Sequence, residues 1–204
     1  MSNMELLELL RESVDTTPVE AAAIPELDLY MDQVLSLLGE RFQTGSRTEG
    51  ERTITKMMIN NYSKERLLKR PAGKKYTREH IMLITLIYCL KQGLALEDVG
   101  RLLRSADGML SAGEDRYDPV EVSALFHRFE EMKRSQERLT GEIVRDLEEC
   151  GAGEGLFATV LYLVNLSGAL SLAAGRLIDT LPDSERKKKP RRPEETAAGQ
   201  PEAH

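Results

Sequence analysis

From Asp118 onward the chain is committed to one long helix, and that helix limits every fold open to it. Val122, Leu125, Phe129, Met132, Gln136, Leu139 and Ile143 follow one another at alternating steps of three and four. A repeat of this period marks a helix with one apolar seam. Asp118-Pro119-Val120-Glu121 supplies the start: an aspartate to cap, a proline at the first helical position, and a glutamate three residues after the aspartate. The pattern predicts about thirty helical residues, a rod about 45 Å long. Gln136 interrupts the seam, which lowers stability but can fix register. Two partners are open to such a seam: the helix's own domain, or a second copy of the chain.

The rest of the chain also reads as helix. It has no Trp, few other aromatics and few β-branched runs, which argues for an all-α protein. Residues 4–12 suit a short amphipathic helix, ended by Thr16-Thr17-Pro18. Leu27 to Phe42 predicts a second, with Leu27, Tyr30, Met31, Val34, Leu38 and Phe42 on one face. The polar stretch Gln43 to Arg52, with Gly45 and Gly50, is a loop. Thr55 caps a helix to about Lys64, and Thr77 caps an amphipathic helix through Gln92 that Gly93 stops in the left-handed conformation. A short helix, Leu96 to Leu103, follows. After Gly151 and Gly153 a final helix runs to about Leu181. From Pro182 the composition is that of a disordered tail, with Lys187–Arg192 its basic run. The expected organisation is an N-terminal helical segment (1–23), a module (24–104), a linker (105–117), a helical region (118–181) and a tail (182–204). No internal repeat is present.

Charge singles out one part of the module. Residues 52–78 hold nine Lys/Arg and one Glu, whereas residues 1–51 hold three Lys/Arg and eleven Asp/Glu. The chain as a whole is at −6. Binding depends on the local field rather than the total, so the basic stretch is an electrostatic footprint for phosphate. Acidic stretches at 5–32 and 146–154 read as solvated faces, or as an internal contact for the basic module. Cys89 and Cys150 form no disulfide framework or zinc spacing, and the first residues lack the basic start and apolar run of a signal peptide. A reducing cytosol is expected. His80, His127 and His204 have no metal-ligand spacing, and neither a phosphate loop nor a nucleophile signature occurs. No enzyme activity, metal or cofactor is therefore expected. Cys89 is read as a small core residue, and His127 as a surface or seam residue.

The basic stretch also has the residue types for reading DNA. In a helix-turn-helix the second helix enters the major groove with its N-terminal residues at base edges. The helix after Thr55 would present Lys56, Asn60 and Asn61 outward, with Met57 or Met58, Ile59 and Tyr62 packed inward or along the rim. An asparagine amide both donates to and accepts from an adenine edge. Lys64, Arg66, Lys69, Arg70, Lys74, Lys75 and Arg78 would contact phosphate, which positions without specifying sequence. Lys74 and Lys75 follow Gly73 at the tip of a tight turn suited to a wing. The expected DNA-contacting set is Thr55, Lys56, Asn60, Asn61, Tyr62, Lys64, Arg66, Lys69, Arg70, Lys74, Lys75, Tyr76 and Arg78. The competing reading makes these cations a solvated surface and the asparagines backbone caps.

Ile54-Thr55, Ile59-Asn60-Asn61-Tyr62 and Leu67-Leu68 together resemble the recognition helix of MerR-type winged-helix regulators, which carry a Val-Ser start, a Thr-Ile-Arg-Tyr-Tyr core and a Gly-Leu-Leu exit. The likeness continues through Tyr76, Leu90-Lys91-Gln92-Gly93, Leu96-Glu97-Asp98-Val99 and Leu102-Leu103. Closer still, Leu29-Tyr30-Met31-Asp32-Gln33, the run Thr55 to Tyr62, and Lys74-Lys75-Tyr76 resemble the bacterial domain-of-unknown-function family 1836. Together these cover residues 24–104. The resemblance implies an N-terminal winged helix-turn-helix with a minimal β wing, then a long-helix dimerisation region whose seam is Val122, Leu125, Phe129, Met132, Gln136, Leu139 and Ile143. Its implied partners are double-stranded DNA and a second copy of the chain. Three departures bear on it. Asn60 and Asn61 replace an Arg-Tyr pair, Arg66 stands where the MerR turn has glycine, and the loop 43–52 exceeds the usual turn of three or four residues. No metal-ligand pattern marks an effector site in the C-terminal half.

A membrane helix is the main rival within the C-terminal region. Gly155 to Gly175 carries no charge and is long enough for a bilayer. Thr159, Asn165, Ser167 and Ser171 interrupt it, however. The acidic flank Asp146, Glu148, Glu149 and Glu154 precedes it while Arg176 and the basic tail follow, an orientation that would put the DNA module outside the cell. A helix buried in a dimer or domain core is expected instead. The tail is a solubilising terminus that can add nonspecific phosphate affinity. The function expected is a cytoplasmic, dimeric, sequence-specific transcription regulator. The alternatives are an adaptor whose winged fold binds protein rather than DNA, or a regulator anchored to a membrane through 155–175.

Overall fold

In chain order the molecule runs α1 (Asn3–Val14), a 3-10 turn (Ala21–Ala23), β1 (Leu29–Tyr30), α2 (Met31–Phe42), α3 (Lys56–Lys64), a second 3-10 turn (Ala72–Lys74), β2 (Lys75–Tyr76), α4 (Arg78–Leu90), α5 (Leu96–Ser105), α6 (Pro119–Glu149) and α7 (Leu156–Asp179). The computed structural model describes residues 2–14, 19–42, 54–105, 117–151 and 155–182. The expected loop 43–52, most of the 105–117 linker and the tail from 183 onward fall outside the described residues. Among the described residues the fold is all-α apart from one antiparallel pair, in which Leu29 lies opposite Tyr76 and Tyr30 opposite Lys75.

Helix α4 is the hub. Every residue from His80 to Tyr88 is buried. A helix enclosed on all sides belongs at the centre of a packed unit, so the amphipathic helix expected here is instead surrounded. Val34 and Leu38 of α2, Ile59 and Tyr62 of α3, Val99 and Leu103 of α5, and Val122 and Phe126 of α6 share its core. Gly100 makes one of these contacts possible: a Cβ there would lie 2.8 Å from Leu67 Cδ2. A second, smaller core joins Leu6 and Leu10 of α1 to Val144 and Leu147 of α6, with Tyr162 and Leu163 of α7 against it.

The local chemistry of helix starts is as the residues dictate. Thr55 accepts the Met58 N–H at 3.2 Å, and Asp118 accepts those of Val120 and Glu121 at 2.8 and 3.3 Å, with Pro119 first in the helix. Two further expectations fail. Leu27 and Tyr30 are 78% and 54% exposed rather than on the buried face of α2, because the chain pairs there as β1 and α2 begins only at Met31. Phe42 of that face has a side chain outside the described residues. Gly93 is absent from the positive-φ residues; the helix end tightens instead, with Gln92 and Gly93 N–H donating to Cys89 and Leu90 carbonyls.

Helix α7 is not enclosed by the domain core. Among its residues only Thr159 and Ile178 are buried, while Phe157 is 82% exposed and Leu177 70%. The reason is geometric: the α1–α6 core meets it towards its first end and α5 towards its last. Its C-terminal end is held by buried Arg101, which donates to Asp179 Oδ1 at 3.0 Å and to the Ile178 carbonyl at 2.9 Å. Among the described residues α7 is the one helix long and apolar enough to cross a membrane.

Candidate nucleic-acid interface

Helix α3 turns one face into the core and one to solvent. Ile59 and Tyr62 are buried and Met58 is half-buried. Lys56, Met57, Asn60, Asn61 and Lys64 are exposed. Their spacing, i, i+1, i+4, i+5 and i+8, puts all five on one side of the helix. That face carries two cations, two amides and a thioether, with no carboxylate. The expectation that Lys56, Asn60 and Asn61 point outward agrees with this placement. Met57, 79% exposed, is a candidate that sequence reasoning misses; the phase set by Ile59 and Tyr62 is the signal that sends Met57 out and Met58 in.

The segment leaving α3 keeps a left-handed turn without glycine. Arg66 has φ of 59°, in the region that glycine normally supplies. The turn therefore takes that bend without a glycine, and the arginine side chain is left exposed. Downstream, Gly73 and Lys74 have φ of 58° and 64°, and this left-handed pair makes the tip of the turn that enters β2. Arg70, Lys74 and Lys75 are exposed there, and Lys75 Nζ sits 5.5 Å from the centre of the Tyr30 ring, across the β pair. Thr55 is exposed at the start of α3, its hydroxyl engaged in the cap.

Four of the expected contact residues serve the fold. Tyr62 and Tyr76 are 3% and 4% exposed, and burial pushes the Tyr62 hydroxyl up to about 12. Arg78 pins the segment before β1: it donates to the carbonyls of Ile24 and Ala21 at 2.6 and 2.8 Å and to Glu26 at 2.8 Å. Lys69 is half-buried; its backbone N–H donates to the Tyr117 hydroxyl at 2.5 Å, and its ammonium lies 4.9 Å from that ring. Tyr117 thereby ties the turn before the β pair to the start of α6. Cys89 is half-buried, and desolvation raises its thiol to about 11, in keeping with a packing role.

His80 lies at the same junction. It is 6% exposed, its Nδ1 accepts the Thr77 N–H at 3.3 Å, and its ring meets Tyr76 and Tyr117 edge-on at 5.8 and 5.0 Å. Burial, the main cause, holds its pKa below the ordinary 6.5. The unfolded chain then binds a proton more readily than the folded one, so His80 favours folding above 6.5 and this contribution falls away as pH descends below it. Melting curves between about pH 7.5 and about pH 5.5 should show a loss of Tm that is smaller in His80→Gln. An equal loss in both proteins would remove His80 as its source.

The expected seam on α6 is split. Val122 is 1% exposed in the main core, with Leu125 and Phe129 packed against it, and Ile143 packs on the smaller core. Met132, Gln136 and Leu139 are exposed. The buried stripe instead uses Phe126, Thr140 and Leu147, which lie off the expected row of Leu125, Leu139 and Ile143. Among the described residues no group of His, Cys, Asp and Glu is placed to hold a metal ion.

Among the described residues the fold is thus all-α with one two-stranded sheet, and α3 presents an exposed, basic, amide-bearing face. The chain belongs to the domain family of unknown function DUF1836, whose model matches residues 19–129. The matched span opens at Val19 and closes at Phe129, the first and last contributors to the main core. No curated protein and no solved structure matches the chain.

Proposed function

We propose that this protein is a cytoplasmic DNA-binding transcription regulator that acts as a dimer, without catalytic activity of its own. Helix α3 lies in the major groove and the turn at 71–76 braces the phosphate backbone. The observation that carries the reading is the solvent face of α3: Lys56, Met57, Asn60, Asn61 and Lys64 are exposed together, free of carboxylates. The small antiparallel sheet of β1 and β2, entered by a turn that exposes Lys74, supports it, since such a sheet is consistent with a minimal wing. A dimer would place two such helices on half-sites about 34 Å apart, or a multiple of that.

Asn60 and Lys74 carry different duties on this reading. Asn60→Ala should cost roughly 1–3 kcal/mol on the preferred site and relax the preference. Lys74→Ala should weaken all sequences alike and make the salt dependence shallower by about 0.9. Selection of bound fragments from random duplexes, followed by titration at several salt concentrations, separates the two. Sequence-blind, equal losses from both variants would contradict this division. Absence of binding to any duplex at low salt would favour a protein adaptor, a reading supported by Met57 standing exposed in the middle of the face.

A further inference from the structure

We infer that α7 is the self-association surface of this protein, and that a second copy of the chain covers it through the stripe Phe157, Leu161, Val164, Gly168 and Leu172. These residues recur at steps of four, three, four and four, so they form one line along the helix. The four large ones are 50–82% exposed. On the side of α7 that carries the stripe, Leu156, Phe157, Val160, Leu161, Val164 and Leu172 stand exposed, whereas Leu170 and Leu177 lie on another face. At roughly 150–200 Å² for each when bare, those six offer on the order of 650 Å². A monomer's largest apolar patch is typically about 300–600 Å². One side of a stable dimer interface is about 800 Å².

The occupant is argued from how α7 is held. Near its first end Tyr162 and Leu163 pack on the α1–α6 core. Near its last, Ile178 and Asp179 are gripped by Arg101, and a Cβ on Gly93 would lie 3.3 Å from Ser171 Oγ. The two anchor regions are about 25 Å apart along the helix, and both lie on the packed helices of the same chain. A helix pinned at both ends along a domain surface cannot also span about 30 Å of hydrocarbon. Another α7 meets no such conflict. An uncharged stripe is self-complementary, as a two-fold interface requires. Gly168 lies near the middle of the helix, and a Cβ added there would find nothing within 4 Å, so two copies can cross closely at that point. Asn165, exposed beside the stripe, would meet its own copy and fix the register. Helix α6 offers less: its uncovered row is Leu125, Met132 and Leu139 at seven-residue intervals, a single line whose first member already packs on the core.

The test uses the full chain and does not read DNA binding, so its failure and that of the DNA reading are distinguishable. Sedimentation equilibrium from about 1 to about 100 µM should find the wild type dimeric without detergent. Leu161→Glu with Val164→Glu should raise the dissociation constant more than about 100-fold, because each charge enters the interface twice. Gly168→Leu should also dissociate the dimer while keeping the helical circular-dichroism signal, since leucine favours helix and meets open space in the monomer. Three outcomes would overturn the inference: a monomeric wild type, variants as dimeric as wild type, or flotation of the wild type with neutral phosphatidylcholine vesicles that is lost in Leu161→Glu/Val164→Glu.

Discussion

Reversing both cations on the solvent face of α3, Lys56→Glu with Lys64→Glu, should weaken binding to every duplex by roughly 100-fold or more at low salt. Two phosphate contacts vanish and two repulsions replace them. The slope of log affinity against log salt should become shallower by about 1.8, at about 0.9 for each phosphate released. Both lysines are exposed and neither touches the core, so helicity and Tm should stay near wild type. That separation makes the experiment decisive: a loss of binding with the fold intact assigns the effect to the face itself. Charge reversal of Lys91, exposed at the far end of α4, is the matched control. If the α3 double variant binds as the wild type does, the groove assignment is wrong, whatever the control does.

What the residues reveal on their own, and what they do not, divides by the range of the interaction. Thr55 and Asp118 are legible as caps because their partners lie two or three residues away. The outward face of α3 is legible for the same reason: Ile59 and Tyr62 set the phase locally. Leu27 and Tyr30 mislead because their apolar spacing continues that of α2, while the partner that draws Leu29–Tyr30 into a strand sits at 75–76, far along the chain. Tyr76 and Arg78 look like members of a basic, aromatic patch. Their employment in the fold, in the β pair and in the clamp on Ala21 and Ile24, depends on segments equally distant in sequence. On α6 two rows share Val122 and Phe129, and only packing selects between them. The row that is covered includes Thr140, 1% exposed, and a half-buried Lys133, residues that a polarity pattern sends to solvent. Helix α7 marks the limit of such reading: composition gives an apolar rod, and only contacts with the rest of the chain show how little of it one copy covers.

Replacing Phe126 by alanine should cost about 3–5 kcal/mol of stability, the range for deleting a fully buried aromatic ring. Phe126 is 0% exposed, lies 5.9 Å from Phe129 in a tilted ring pair, and joins the start of α6 to the core around α4. Domains of ordinary stability have about 5–15 kcal/mol in total, so this one change removes a large share. At about 2–4 °C per kcal/mol for a chain of this size, the Tm should fall by roughly 10 °C. Leu139→Ala on the same helix is the comparison, because Leu139 is 50% exposed and its loss leaves no cavity. Urea unfolding of both variants at equal concentration reads the difference, with the midpoint moving far more for Phe126→Ala. Leu125, which belongs to the expected seam and is half-buried against the core, should fall between them. The order matters beyond stability. It states that the first half of α6 is part of the module that presents α3, coupled to the turn before the β pair through Tyr117 and Lys69. Equal costs at Phe126 and Leu139 would mean that α6 is not fixed to that module, and the orientation of α3 relative to a partner copy would then be unconstrained.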